Sequence, residues 1–282
     1  MKPPYSALRV SMCNACVKPA RSSYMAARLA LLALAGFCAP ALAFQPLVTD
    51  DTGTQGAGGN QLEFSLNEDR AEAAGKVERS HSLPVVYTRG LSDTLDVYAG
   101  LSYARTRADD ADDASGSGNP AIGAKWRFYE MGVVGTSLAL KPEILLPVSS
   151  ARENSGLGTG KTSGSLTLIA TQEVPFGAVH INAGVNRDRY RDTSGNPDTT
   201  TTRVSIAPVW DLNQQWKLAL DLGTESAHAA GARVRSNFVE LGAIYSPSAD
   251  LDFALGLVRA SDNDDPGTTT DTVTAGVTWR FR

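Results

Sequence analysis

The last twelve residues, Asp271 to Arg282, alternate without a break. Val273, Ala275, Val277, Trp279 and Phe281 are apolar, and Thr272, Thr274, Gly276, Thr278 and Arg280 lie between them. A period of two is what a β-strand shows when one face meets an apolar medium and the other water. Such a strand leaves backbone N–H and C=O groups open along its edges, and in a membrane those edges are satisfied only by a closed ring of strands. The expectation is an all-β chain, a transmembrane antiparallel up-and-down β-barrel sealed by this strand.

The first 43 residues fit a signal peptide. Lys2, Arg9, Lys18, Arg21 and Arg28 precede the apolar run Leu29–Ala39 with no acid among them, and Ala41-Leu42-Ala43 offers small residues for cleavage before Phe44. Met25 stands where a compact signal peptide begins, so the start upstream of it is a candidate over-extension. Cys13, Cys16 and Cys38 all fall in this leader, and Cys13-Asn-Ala-Cys16 has no second pair with which to form a zinc or redox site. The predicted mature chain is free of cysteine, which suits export. It keeps 21 of the 26 basic residues and all 30 acidic ones, a formal charge of −9 that repels nucleic acid. The predicted location is the outer membrane of a Gram-negative bacterium. No later stretch approaches the roughly 18 apolar residues of a spanning helix.

Residues 44–59 are polar and turn-rich, read as an N-terminal periplasmic or luminal segment, and the barrel is assigned to 60–282. Twelve alternating strands can be counted. Their connections sort into long polar loops at 69–79, 107–118, 147–162, 187–200, 227–232 and 261–270, and short turns at 90–93, 130–133, 174–177, 211–215 and 246–249. An even strand number with alternating short and long connections is the outer-membrane arrangement. Tyr87, Trp126, Phe128, Trp210, Trp216, Tyr245, Trp279 and Phe281 lie beside the short turns, where a periplasmic aromatic girdle belongs.

With the apolar set facing lipid, parity turns Glu63, Asp96, Tyr98, Lys125, Arg127, Lys141, Glu143, Asp221, Glu240, Asp252 and Arg280 into the lumen. Two roles fit them: lining a path for solute, or holding a narrow barrel shut. Folding the last hairpin about Pro266 sets Asp252 opposite Arg280 as an expected ion pair. The glycine-rich 44–59 segment is a candidate hatch, with Asp50 and Asp51 meeting lumen bases.

The run from Gln45 to Gly56 (Gln-Pro-Leu-Val-Thr-Asp-Asp-Thr-Gly-Thr-Gln-Gly), followed by Leu62-Glu63, resembles the opening of the MetA-pathway phenol-degradation family of outer-membrane transporters. Lys141-Pro142-Glu143, Leu146-Pro147 and the Gly158-Thr159-Gly160-Lys161 loop resemble its middle. The resemblance implies passage of small hydrophobic or aromatic compounds and supplies no catalytic residue. Its partners are then outer-membrane lipid and lipopolysaccharide, a small hydrophobic solute, and the barrel-assembly machinery acting on the last strand. That strand ends on Arg282, with the aromatic Phe281 penultimate rather than terminal.

Other motifs have blander readings. Gly156 to Thr162 lacks the first glycine of a phosphate loop, since position 155 is Ser155. Asp262 to Gly267 resembles a calcium loop, but Pro266 takes a ligand position and Val273 stands where the bidentate acid belongs. Asp109, Asp110, Asp112 and Asp113 read as a solvated loop tip, with ion bridging to lipopolysaccharide as the sharper alternative. A lipid hydrolase of this fold needs a serine with a neighbouring histidine on the barrel wall. His81 and Ser82, as neighbours on a strand, point to opposite faces, His180 lies beside a short turn and His228 in a loop. No cofactor or metal is expected. The class competing with a transporter is a non-transporting structural or loop-binding barrel.

Overall fold

The structure, a computed structural model, describes residues 45–282 apart from 110, 192, 194, 195, 265 and 266. The predicted leader, its three cysteines, Met25 and the cleavage site at Phe44 lie outside the described residues, as do Asp110, Asp265 and Pro266. Thirteen strands follow one another: β1 (Asn60–Ala73), β2 (Lys76–Ser92), β3 (Leu95–Ala108), β4 (Ala111–Ser117), β5 (Ala121–Met131), β6 (Thr136–Leu145), β7 (Ser163–Val174), β8 (Gly177–Asp188), β9 (Thr199–Asp211), β10 (Trp216–Ala229), β11 (Ala232–Ser248), β12 (Leu251–Asp262) and β13 (Thr268–Phe281). One short helix, α1 (Ser150–Asn154), lies between β6 and β7.

Every pairing is antiparallel, and the sheet closes where β1 meets β13, from Asn60 opposite Phe281 to Ala73 opposite Thr268. The cylinder has twelve strands plus one extra, because β4 and β5 both pair with β3: β5 along Leu95–Gly100 and β4 along Tyr103–Ala108. This is the transmembrane barrel that the alternation implied, and its surface is inside-out for the same reason. Leu255 is 51% exposed and Trp279 49%, whereas Asp221 and Glu240 are fully buried. A contiguous exposed apolar belt is stable only against lipid, and charges tolerate the inside only if they find partners there. At the short-turn end the aromatics pair: Trp126 with Phe128, Phe176 with Trp210, Trp216 with Tyr245, and Trp279 with Phe281, their ring centres 4.6–5.8 Å apart.

The long connections differ from the sequence reading. Residues 69–79 and 227–232 are not loops but strand ends joined by two-residue turns, Ala74-Gly75 and Ala230-Gly231. Both residues of each turn have positive φ, the left-handed geometry that matches a tight hairpin to the twist of its strands. β2 and β11 reach 17 residues each, beyond the roughly 9–11 of a tilted span, so their ends stand in water on both faces and lose the alternation. The acidic stretch 107–118 likewise forms the end of β3 and all of β4, with Asp113 paired to Arg105 and Arg107 and Asp109 accepting from the Val77 N–H. In the 147–162 loop α1 turns inward; Glu153 is buried and accepts from the Arg191 N–H at 2.6 Å. His228 lies on β10 rather than in a loop.

Candidate functional site

Residues 45–59 form no strand. They run around the inside of the cylinder, a few residues above the short-turn end, and meet each of its twelve strands in turn. Gln45 donates to Ser65 on β1 at 2.7 Å and lies against Gly276 on β13; Pro46 lies against Gly256 on β12 and Gly242 on β11. Leu47 is a buried apolar anchor, clustered with Ala207, Val209 and Ala219. The Val48 N–H donates to Glu240 Oε2 at 3.1 Å. Thr49 is held at both ends: its N–H donates to Asp221 at 2.6 Å, and its hydroxyl lies 2.7 Å from Asp221 and from Ser205.

Asp50 sits at the centre of this course. Its backbone N–H and C=O are both bonded to the Asn182 side chain at 2.8 Å. Its carboxylate lies 2.8 Å from Lys141 Nζ and 3.2 Å from Lys125 Nζ, all three side chains being at most 10% exposed. Asp51 adds a second carboxylate 3.7 Å from Lys125. Burial acts to raise the Asp51 carboxyl, but Lys125, His180 and the Gly53 N–H outweigh it and hold the group below its ordinary value. Thr52 then reaches Thr171 and Ser137, Gln55 donates to Asp96, and Gly58 and Gly59 bond to Gly90 on β2. The contacts are almost all polar.

All eleven residues expected in the lumen are on the inward face. Five of them, Asp96, Lys125, Lys141, Asp221 and Glu240, bond to the segment. Others bond to the wall: Tyr98 donates to Glu143 at 3.1 Å, and Arg127 donates to the Asp93 carbonyl and pairs with Glu130. Arg280 pairs with Asp252 at 2.7 Å, though diagonally, because the register sets Asp252 opposite Thr278. Glu63 lines a cavity of about 290 Å³ beside the segment. Asn182, Ser205, Thr171 and Ser137 were not singled out by the sequence reading. They share inward parity with the charged set, and only their meeting with the segment distinguishes them.

Of the three histidines, His228 on β10 has Nε2 3.4 Å from the Ser226 hydroxyl, to which Arg233 Nε also donates at 2.7 Å. His81 faces outward while Ser82 is buried and bonded to Asn67. His180 is buried in the lumen with Nδ1 2.9 Å from the Thr171 hydroxyl.

Against known proteins, the family described as "MetA-pathway of phenol degradation" matches residues 49–281. The chain belongs to that family. The matched stretch starts at Thr49, inside the segment, and ends on β13, so it takes in residues 49–59 of the segment together with the wall. Among solved structures the chain is similar to an outer membrane channel from Pseudomonas putida F1, with a TM-score of 0.65 and 14% identity over 82% of this chain and 98% of that one. It is also similar to the translocator domain of the autotransporter NalP from Neisseria meningitidis, with a TM-score of 0.51 and 13% identity over 93% and 97% of the two chains. The β domain of the Bordetella autotransporter BrkA gives 0.52 and 15% over 80% and 100%. No curated protein matches by sequence. At these identities the shared property is the barrel fold, which is a channel in the first and part of an autotransporter in the other two.

Proposed function

We propose that this family member is a passive outer-membrane channel for small hydrophobic or aromatic compounds, with residues 45–59 as a releasable hatch and the eleven inward residues as its path and latch. The observation that carries the reading is the way the lumen is closed. A barrel held permanently shut would lock its inward charges to one another across the lumen, from wall to wall. Here a non-strand segment fills it through hydrogen bonds and the Asp50–Lys125–Lys141 cluster, which can be exchanged for water and remade. The solute class follows from the family description, and passage of phenol-sized molecules suits the narrow bore of twelve strands. On this reading the chain is a conduit rather than an enzyme, a cleaved leader delivers it for export, and the assembly machinery engages β13.

The test is uptake of phenol, benzoate and glucose into proteoliposomes containing the full chain or a version lacking 45–59. Faster aromatic entry, increased again by the deletion, is the expected result. Equal permeability with and without 45–59 sinks the hatch. No flux of any probe in either form favours a non-transporting structural barrel.

A further inference from the structure

We infer that the cavity between residues 45–55 and the inward faces of β1, β2, β3 and β13 is a binding site for a small organic cation, an ammonium or guanidinium compound. Its volume, about 290 Å³, is at the lower end of the roughly 300–1,000 Å³ of small-molecule sites. Three oxygens on residues that line it are buried and have no hydrogen-bond partner among the described residues: Glu63 Oε2, Thr88 Oγ1 and Gln45 Oε1. They come from two wall strands and from the segment. Glu63 and Thr88 are 4% and 3% exposed, so bulk solvent does not stand in for the missing donors. The Gln45 amide nitrogen is committed to Ser65, which leaves its oxygen as the acceptor. A buried acceptor without a donor costs about 1–3 kcal/mol, and more when charged, so two acceptors beside a hydroxyl that can also accept suit a ligand rich in N–H groups.

The charge points the same way. Asp50, Asp51, Glu63, Asp96 and Asp252 line the cavity against Lys125 and Arg280. Both cations are engaged, Lys125 by Asp50 and Asp51 and Arg280 by Asp252, and Asp96 accepts from the segment. Glu63 has no ion-pair partner among the described residues, and a buried carboxylate without a counter-charge is costly. An anion is repelled here, and a neutral solute brings no counter-charge to Glu63. Among the described residues no three acids, histidines or cysteines stand close enough to hold a metal ion, so an organic cation fits better than a bare one. A ligand touching Gln45 on one side and Glu63 and Thr88 on the other bridges segment and wall, and so opposes release of the segment.

The test is calorimetric titration of the detergent-solubilised full chain with benzylammonium chloride. Benzyl alcohol serves as the neutral match, and potassium and calcium chloride as ionic controls. Saturable benzylammonium binding is expected, weakened at least roughly tenfold in Glu63→Gln and about threefold in Thr88→Val, with no saturation by benzyl alcohol. Should Glu63→Gln fail to reach the heat-modifiable folded form, Thr88→Val carries the comparison alone. Absence of saturable benzylammonium binding, unchanged affinity in the folded variants, or saturation by potassium or calcium alone overturns the site. Binding without flux sinks the channel reading and leaves the site standing; flux without binding does the reverse.

Discussion

Replacing Asp50 by Asn removes one charge at the point where the segment is most strongly held. The carboxylate is 4% exposed and meets Lys141 at 2.8 Å and Lys125 at 3.2 Å. Taking one partner from a buried ion pair costs about 3–5 kcal/mol, chiefly because the remaining charge is left uncompensated. Asp51 still lies 3.7 Å from Lys125, and an asparagine oxygen can accept from one lysine, so the lower end applies, about 3 kcal/mol. The penalty falls on the docked state alone, since in the released state both lysines are hydrated. At about 1.4 kcal/mol per factor of ten, the ratio of docked to released segment drops roughly 100-fold. Two readouts follow it: open probability in planar bilayers, and protease cleavage between residues 45 and 59 in folded, liposome-embedded protein. Asp50→Glu, which keeps the charge, should stay closer to the parent. If Asp50→Asn folds but neither conductance nor cleavage changes, the lysine cluster is not what keeps the segment in place.

Three further outcomes are expected. Asp51 has a carboxyl held below its ordinary value of 3.8 when docked, so its contribution is complete above the unfolded value and lost as pH falls through the docked one. Protease protection of 45–59 in Asp51→Asn should therefore differ from the parent at pH 6, and the gap should narrow as pH falls below 3.8; a gap that stays constant there would refute the linkage. Gly90→Ala places a methyl group against the Gly56 carbonyl and should loosen the segment's C-terminal end by about 1–3 kcal/mol, read as cleavage near residues 54–58 with barrel heat-stability retained. Leu255→Arg puts a charge in the middle of the apolar belt and should destabilise the barrel by about 2–4 kcal/mol in lipid-refolding titrations, whereas no loss would mean that this face is not in lipid.

The barrel was legible because lipid on one side and water on the other impose a two-residue period on every spanning strand. Parity alone set Glu63, Asp96, Lys125 and Glu240 inward, and the structure has them there. Legibility ended where that contrast ends. At Arg70–Ala73, Lys76–Ser80 and the whole of β4, both faces are polar, so strands read as loops until the Ala-Gly turns are seen. The register of the last hairpin lies two residues from one pivoted on Pro266, with Asp252 opposite Thr278. The Asp50 cluster was half-legible: acids in a glycine-rich segment and lysines of inward parity imply attraction. Nothing local says that Thr49 meets Asp221, 172 residues away, or that Asn182 clasps the Asp50 backbone.

The circular course of residues 45–59 also orders events during biogenesis. Gln45 sits at the seam, touching β1 and β13, and the residues after it visit every remaining stave before returning to β2 at Gly90. A half-built sheet offers only part of that itinerary, and its interior carboxylates and lysines stay open to water. The segment can seat fully only after the two ends of the polypeptide have zipped together, so its arrival marks completion of the wall.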